Sequence, residues 1–443
     1  MYKIKYRSPD EMKDSGVEWL GMVPKDWGIK KLKHVTKCLD GKRIPLSSEE
    51  RGKMQGDFPY WGANGIVDYI NKYLLDEEVI LLGEDGAPFF DNYKDVAFVS
   101  AQKIWVNNHI HILKPIMIDT VFLLNCLNTV NYIDYIEGST RDKLTQSNMK
   151  EIIIQVPSAL NQQTIANFLD IKTAQFDSII YKKELLIKKL EEAKKSLISE
   201  VVTGKVKIVD GEMVKRQPEE LKDSGVEWLG MIPKDWGIRK IKRLSNIGRG
   251  ASPRPIDNPR YFDDTGEYAW TRIADVTASG KFLLHTKQTT SKLGANLSVK
   301  LEPQDLFISI AGSVGKPCIT KIKACIHDGF VYLPKLKNKY VEFLYYIFYI
   351  GQCYRGLGKL GTQLNLNRET IGNIDIALPL TDTEINSIIK YIVYKEGRIE
   401  YLTATIASEI QKLKQAKQSL ISEAVTGKID LRDWEITQEG GIQ

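Results

Sequence analysis

Residues 13–31 read KDSGVEWLGMVPKDWGIKK and residues 222–240 read KDSGVEWLGMIPKDWGIRK, identical at 17 of 19 positions. A repeat of this fidelity fixes the architecture before any other feature is weighed, because both copies must fold the same way. A second pair lies further on. KKLEEAKKSLISEVVTGK at 188–205 matches QKLKQAKQSLISEAVTGK at 411–428 at 13 of 18 positions. The segments between the paired motifs are unlike each other: the first holds FPYWGANGIVDYINKYLLDEEVILLGEDGAPFF, the second EYAWTRIADVTASGKF and LEPQDLFISIAGSVGK. The central joint GKVKIVDGEMVKRQPEELKDSGVEWLG is imitated by the C-terminal GKIDLRDW followed by the N-terminal SPDEMKDSGVEWLG. The chain therefore reads as a circle cut open, a pseudo-twofold repeat whose two ends are expected to lie together.

Periodicity separates the parts. From about Asn161 to Thr203 apolar residues recur at Phe176, Ile179, Leu186, Leu190, Ala193 and Leu197, interrupted by Lys183. The second stretch has Ile399, Leu402, Ile406, Ile410, Leu413, Ala416 and Leu420. Steps of three, four and seven predict coiled-coil-like helices that pack antiparallel, with Leu186, Leu190, Leu413 and Leu420 buried in the seam and Gly204 and Gly427 as C-caps. At 1.5 Å per residue each helix reaches ~60 Å. The unlike segments carry short runs (VILLG, AFVSAQKIWV, LFISIAG, KACIHDGFVYL) broken by Gly, Asn and Pro, which predicts α/β domains. The expected order is 1–160, a first domain with its motif; 161–205, a helix; 206–221, a linker; 222–380, a second domain with its motif; 381–428, a helix; and 429–443, a tail.

Composition narrows the class. No apolar run reaches the roughly 18–20 residues of a membrane span; VEFLYYIFYI stops at Gly351. The N-terminus lacks the apolar core of a signal peptide, and the five cysteines form no CxxC, which points to the cytoplasm without a disulfide framework or zinc site. A net charge of +6 is compatible with DNA binding without arguing for it.

Two like surfaces imply one partner bound twice, or packing of the halves on each other. Two unlike domains imply two targets, and the helices would act as rulers between them. Half-sites on one face of DNA lie roughly 34–36 Å apart per helical turn, a scale such a spacer suits. With the motifs DSGVEWLGMVPKDWG and DSGVEWLGMIPKDWG, the distal SLISEVVTGKVKI and SLISEAVTGKIDL, and YWGANGIVDYI, NNHIHIL and LEPQDLFISIAGSVGK in the unlike segments, the chain resembles type I restriction–modification specificity subunits along nearly its whole length. The resemblance implies two target-recognition domains reading a bipartite asymmetric site on double-stranded DNA. It also implies two methyltransferase (modification) subunits docked on the repeated parts, restriction/motor subunits reached through the complex, and no membrane. S-adenosylmethionine, Mg²⁺ and ATP would belong to those partners, with no cofactor, metal or catalytic residue on this chain. The alternatives are a specificity subunit of a modification-only or related two-subunit system, and a coiled-coil scaffold that does not bind DNA.

Catalytic motifs are missing. The nearest match to an Asn/Asp-Pro-Pro-aromatic motif is Asp257-Asn258-Pro259-Arg260, without the second proline or the aromatic. The GxGxxG at 356–361 follows an apolar helical run rather than a strand, and in GSVGK at 312–316 Pro317 stands where a phosphate loop needs Ser or Thr. His109 and His111 alternate as on a strand. Candidate DNA contacts are the donors of the unlike segments, since Arg and Lys bridge guanine, Asn and Gln bridge adenine, and phosphate takes any donor. In the first domain these are Lys42, Arg43, Asn64, Lys103, Asn107, Arg141, Lys143 and Gln146; in the second, Arg249, Arg254, Arg272, Ser313, Lys316, Lys359, Thr362, Gln363 and Asn365. Asn64, in GANG, equally suits a tight turn. Trp19, Trp27, Trp228 and Trp236 repeat between the halves and are expected as packing anchors or partner contacts.

Overall fold

The computed structural model describes residues 4–138, 142–357 and 366–435. The chain divides into two units, residues 1–185 with 406–443 and residues 186–405. Each boundary falls inside a long helix. These helices, Ala159–Val202 and Asp382–Val425, are 44 residues each. Among the described residues no helix is long and apolar enough to cross a membrane.

Unit 1 is built on an antiparallel sheet ordered Thr36–Cys38, Ile110–Pro115, Val79–Gly83, Ala97–Ser100. The run VILLG forms its buried middle strand. A second sheet holds the hairpin Gln55–Gly62/Gly65–Ile70, with Trp105–Val106 alongside in parallel. Strand Ile153–Val156 closes the domain against Gly28–Lys31 and leads straight into the first long helix. The architecture is the expected α/β one, and the chain ends meet within this unit. Tyr6 bridges Ile429, and the Arg7 amide donates to the Lys428 carbonyl at 2.9 Å.

Unit 2 repeats the frame with different contents. Its five-stranded sheet runs Gly248–Arg249, Phe330–Tyr332, Leu306–Ser309, Pro317–Thr320, Phe282–Leu283, and a four-stranded sheet holds Gln288–Thr290, Tyr268–Thr271, Ala324–Ile326 and Val299–Leu301. Asp375–Leu378 closes against Gly237–Lys240. The apolar run at 341–350 belongs to helix Asn338–Ile350, buried from Phe343 to Phe348 and capped by Gly351 at φ 71°. Residues 206–221, expected as a plain linker, contain the hairpin Val206–Val209/Glu212–Lys215. Here the Arg216 amide donates to the Lys205 carbonyl at 3.2 Å, the contact that Arg7 and Lys428 make across the chain ends. The circular repeat is thus literal at the level of single hydrogen bonds.

The helix seam needs correction. In unit 1 the helices run antiparallel, with Lys417 on Asp177 at 2.7 Å, Lys183 on Glu409 at 2.6 Å and Lys414 on Glu184 at 3.8 Å. Lys183 interrupts the apolar stripe because it forms an ion pair across it. Leu186 is 45% exposed rather than buried, and Leu190 and Leu413 are half-buried. Leu420 is buried as expected, in a cluster that joins Ile165, Phe168 and Leu169 of the first helix to Trp27 and Phe122 of the domain. A two-helix pair covers only a narrow stripe, so burial is deep where a helix end meets a domain, as at Ile198, Val201, Ala424 and Val425.

Candidate nucleic-acid interface

The tryptophans of the proximal motifs pack inward. Trp27 and Trp236 are 2% and 1% exposed, Trp19 and Trp228 are half-buried, and all four pack against their own unit's core. Trp236 Nε1 donates to Glu384 at 3.1 Å and Trp228 Nε1 to the Asp375 carbonyl at 3.1 Å. These contacts are those expected of packing anchors.

In unit 1 the structure gathers five candidate residues at the C-terminal end of strand Val79–Gly83. His111 is fully buried; its Nδ1 lies 2.7 Å from Asp40 Oδ2 and its Nε2 2.8 Å from the Leu144 carbonyl. Both ring nitrogens face oxygen acceptors, an arrangement the imidazolium satisfies. Arg43 bonds Glu84, lies 3.5 Å from Asp40 and donates to the Ile110 carbonyl at 3.2 Å. Lys143 adds a 3.3 Å contact to Glu84, and Gln146 Nε2 donates to Asp40 at 3.1 Å. Burial pushes the Asp40 carboxyl up, but the hydrogen bonds from His111, Ile112 and Gln146 and the His111 charge hold it well below the usual carboxylate range. Asp40, Glu84 and His111 are close enough to suggest a metal cage, yet Arg43, Lys143 and Gln146 already neutralise and bond them. Asn64 sits in the hairpin turn and donates to the Gly86 carbonyl at 3.1 Å; Asn107 accepts from the His109 amide at 2.7 Å. Lys42 and Lys103 lie elsewhere, paired with Glu77 at 3.0 Å and Asp76 at 3.9 Å. Arg43, half-buried in the network, has its guanidinium committed internally.

In unit 2, Arg249 Nε donates to the Asp328 carbonyl at 2.9 Å and Arg254 pairs with the Asp328 carboxylate at 3.2 Å. Arg272 donates to Gln288 Oε1 at 2.5 Å. Ser313 lies 2.9 Å from Thr277 Oγ1, and Lys316 Nζ donates to the Thr277 and Ser279 carbonyls at 2.8 and 3.0 Å. GSVGK is therefore a loop between strands Leu306–Ser309 and Pro317–Thr320, its lysine tied to backbone rather than free for a phosphate. Arg141, Lys359, Thr362, Gln363 and Asn365 lie outside the described residues. Sequence reasoning missed a cleft of about 600 Å³ lined by Lys242, Asn246, Asn367, Arg368 and Asn373 together with Arg249. The available signal was the repeat itself, since Arg368 opens the short helix that Gln146 opens in unit 1.

Residues 24–191 and 233–415 each match the family model described as type I restriction modification DNA specificity domain. A putative type I restriction enzyme specificity subunit, S.HindORF215P of Haemophilus influenzae, is 33% identical over 164 residues, 37% of this chain and 39% of that one. The MjaVIII specificity subunit of Methanocaldococcus jannaschii is 22% identical over 93% of this chain and 95% of its own. A chain from a solved structure concerned with complex assembly and conformational transition of the type I R-M system covers 91% of this chain and 98% of its own, with a TM-score of 0.62 at 15% identity, a likeness of fold.

Proposed function

This chain belongs to the type I restriction–modification DNA specificity family, and we propose on that footing that it is the DNA-recognition subunit of such a complex, reading two unlike half-sites separated by a fixed gap. The observation that carries this reading is the pairing of a shared frame with unlike contents. Strands Gly28–Lys31 and Gly237–Lys240, their closing partners and the long helices repeat, while the sheets they enclose differ in strand number and order. A common frame suits docking of the same partner twice; divergent sheets suit different sequences.

In this reading two methyltransferase subunits bind the repeated parts, and restriction subunits join through them. The chain itself contributes no catalytic group. S-adenosylmethionine, Mg²⁺ and ATP reside on the partners, and the methyltransferase flips the target adenine at a cost of a few kcal/mol. The work is done in the cytoplasm, on the host's own DNA and on incoming DNA.

Methylome sequencing of a host carrying the intact system, and then a chain in which residues 36–160 are exchanged for an unrelated recognition domain, tests the reading. The expected result is a split motif of which one half changes on exchange while the other half and the gap persist. A swap that alters both halves together overturns it, and loss of methylation with no sequence-specific footprint in the complex favours a scaffold.

A further inference from the structure

We propose that the unit 2 cleft between strand Gly248–Arg249 and the short helix Arg368–Gly372 is a docking site for a DNA backbone phosphate, held by Arg249, Arg368 and Lys242. The proposal rests on the DNA-recognition reading and deepens it by assigning the two halves of the repeat different ways of holding DNA.

The first observation is unneutralised charge. Among the described residues none of the three cations is within ion-pair distance of a carboxylate. The Arg368 side chain has no hydrogen-bond or ion-pair partner among those residues. Arg249 uses only Nε, on the Asp328 carbonyl, which leaves its terminal N–H groups. Lys242 Nζ donates to a neutral acceptor, Asn373 Oδ1, at 2.7 Å. Glu369 is the single acid in the lining, and no aromatic side chain is there to stack on a base. Asn367 spends Oδ1 on the amides of Glu369 and Thr370, at 2.8 and 3.0 Å, which leaves its N–H₂ as a further donor.

The second observation comes from the other half of the repeat. The closing strands pair in the same register, Ile153 with Lys31 and Asp375 with Lys240. Counting back from these pairs, Arg368 stands where unit 1 has Gln146, and Asn373 where it has Glu151. Lys242 stands where unit 1 has Lys33. In unit 1 these positions are closed. Gln146 bonds Asp40 at 3.1 Å, and Glu151 receives Lys31 and Lys33 at 2.5 and 2.6 Å, which holds its carboxyl down at about 2. Unit 2 exchanges the acid for an amide and the amide for a guanidinium. The same frame position is closed by ion pairs and hydrogen bonds in one half and holds unpaired cations in the other, so the frame does not require the free charge. Two guanidinium groups and an ammonium in one open cleft repel each other until an anion enters, and the guanidinium fork matches phosphate oxygens bidentately.

The test uses the full chain assembled with its modification subunits, and compares the parent with Arg368→Gln, Lys242→Gln and Arg249→Gln. Affinity is measured for a duplex carrying the methylated motif and for an unrelated duplex, over a series of salt concentrations. Each substitution should weaken both duplexes by a similar factor, about 3- to 10-fold at low salt, and make the slope of log K against log salt shallower by about one. The methylated motif should stay the same. Arg368→Lys, which keeps the charge, should retain the parent slope, and Lys33→Gln in unit 1 should leave it unchanged. Unaltered affinity and slope in glutamine variants with the parent melting temperature overturn the site. So does altered preference at one base position with an unaltered slope, which marks a base reader. If the parent complex discriminates no sequence, the recognition reading fails, and the site with it.

Discussion

Gly204 lies against the indole of Trp236: a Cβ on this glycine would stand 3.1 Å from Trp236 Cη2 and 2.5 Å from Pro233 Cδ. Gly427 stands in the same relation to Trp27 and Pro24, at 2.8 and 2.5 Å. The distal motif of each repeat thus ends on the proximal motif that follows it around the circle. Both glycines also have φ near 70°, a conformation that L side chains resist.

Gly204→Ala and Gly427→Ala should each destabilise the unit concerned by about 2–4 kcal/mol, combining left-handed backbone strain with overpacking on a ring that cannot retreat. Differential scanning calorimetry of the full chain should show the melting of that unit lowered. An unchanged melting profile would show that the indole yields freely.

A second contrast between the halves predicts a stabilising change. In unit 2, Glu384 accepts from Trp236 Nε1 at 3.1 Å and from Arg216 at 2.9 Å. The repeat places Asn161 at the matching position of unit 1, where Trp27 Nε1 is buried without a hydrogen-bond partner. Asn161→Glu should recover that donor and raise stability by about 1–2 kcal/mol, while Glu384→Gln should lower it by a similar amount. Urea unfolding of the two variants checks both signs. A destabilised Asn161→Glu would refute the equivalence.

The Asp40 network predicts a pH effect of definite sign. Its folded-state carboxyl titrates below the unfolded value of about 3.9, so its contribution is fully present at neutral pH and is lost as pH falls below that value towards the folded one. Asp40→Asn should cost about 3 kcal/mol at pH 7, because it leaves His111 and Arg43 without their carboxylate. The gap to the parent should narrow below pH 4. Unfolding measured at pH 7, 5 and 3 decides this, and a gap that widens on acidification would invert the assignment.

Residues 1–215 form one full turn of the repeat but lack Leu420, Ile421, Ala424, Val425, Ile429 and Leu431, which complete the cluster around Trp27 and Phe168. A second copy can supply its own SLISEVVTGKVKI in that place, so the truncated chain should dimerise. Light scattering should give twice the monomer mass, and methylomes of cells with the methyltransferase should show an inverted repeat of one half-site. A monomeric fragment that still directs methylation of the original asymmetric motif would contradict this.

Much of the frame was legible in the residues. The repeated motifs predicted the circular order, and the runs VILLG and LFISIAG fell on central strands because short apolar runs bounded by turn residues have few other uses. The seam was read less well. Leu186 has the right helical spacing yet is exposed, since spacing defines a face and only the partner helix defines how much of that face is covered. Arg43, Lys143 and Gln146 were chosen as donors for DNA, and the fold gathers them, but around Asp40 and Glu84.

What the sequence determined by itself was everything set by local periodicity and by likeness between its halves: the two helices, the alternation of shared frame with unlike domain, the joining of the ends. What only the tertiary structure decided was which charged groups are already satisfied. Asp40 meets His111 across 71 residues of chain and Lys31 meets Glu151 across 120, pairings that no window of sequence contains. Unit 2 carries its cations in the same frame without those acids, so the difference between a closed network and an open cationic cleft emerges only when strands distant in sequence are brought side by side.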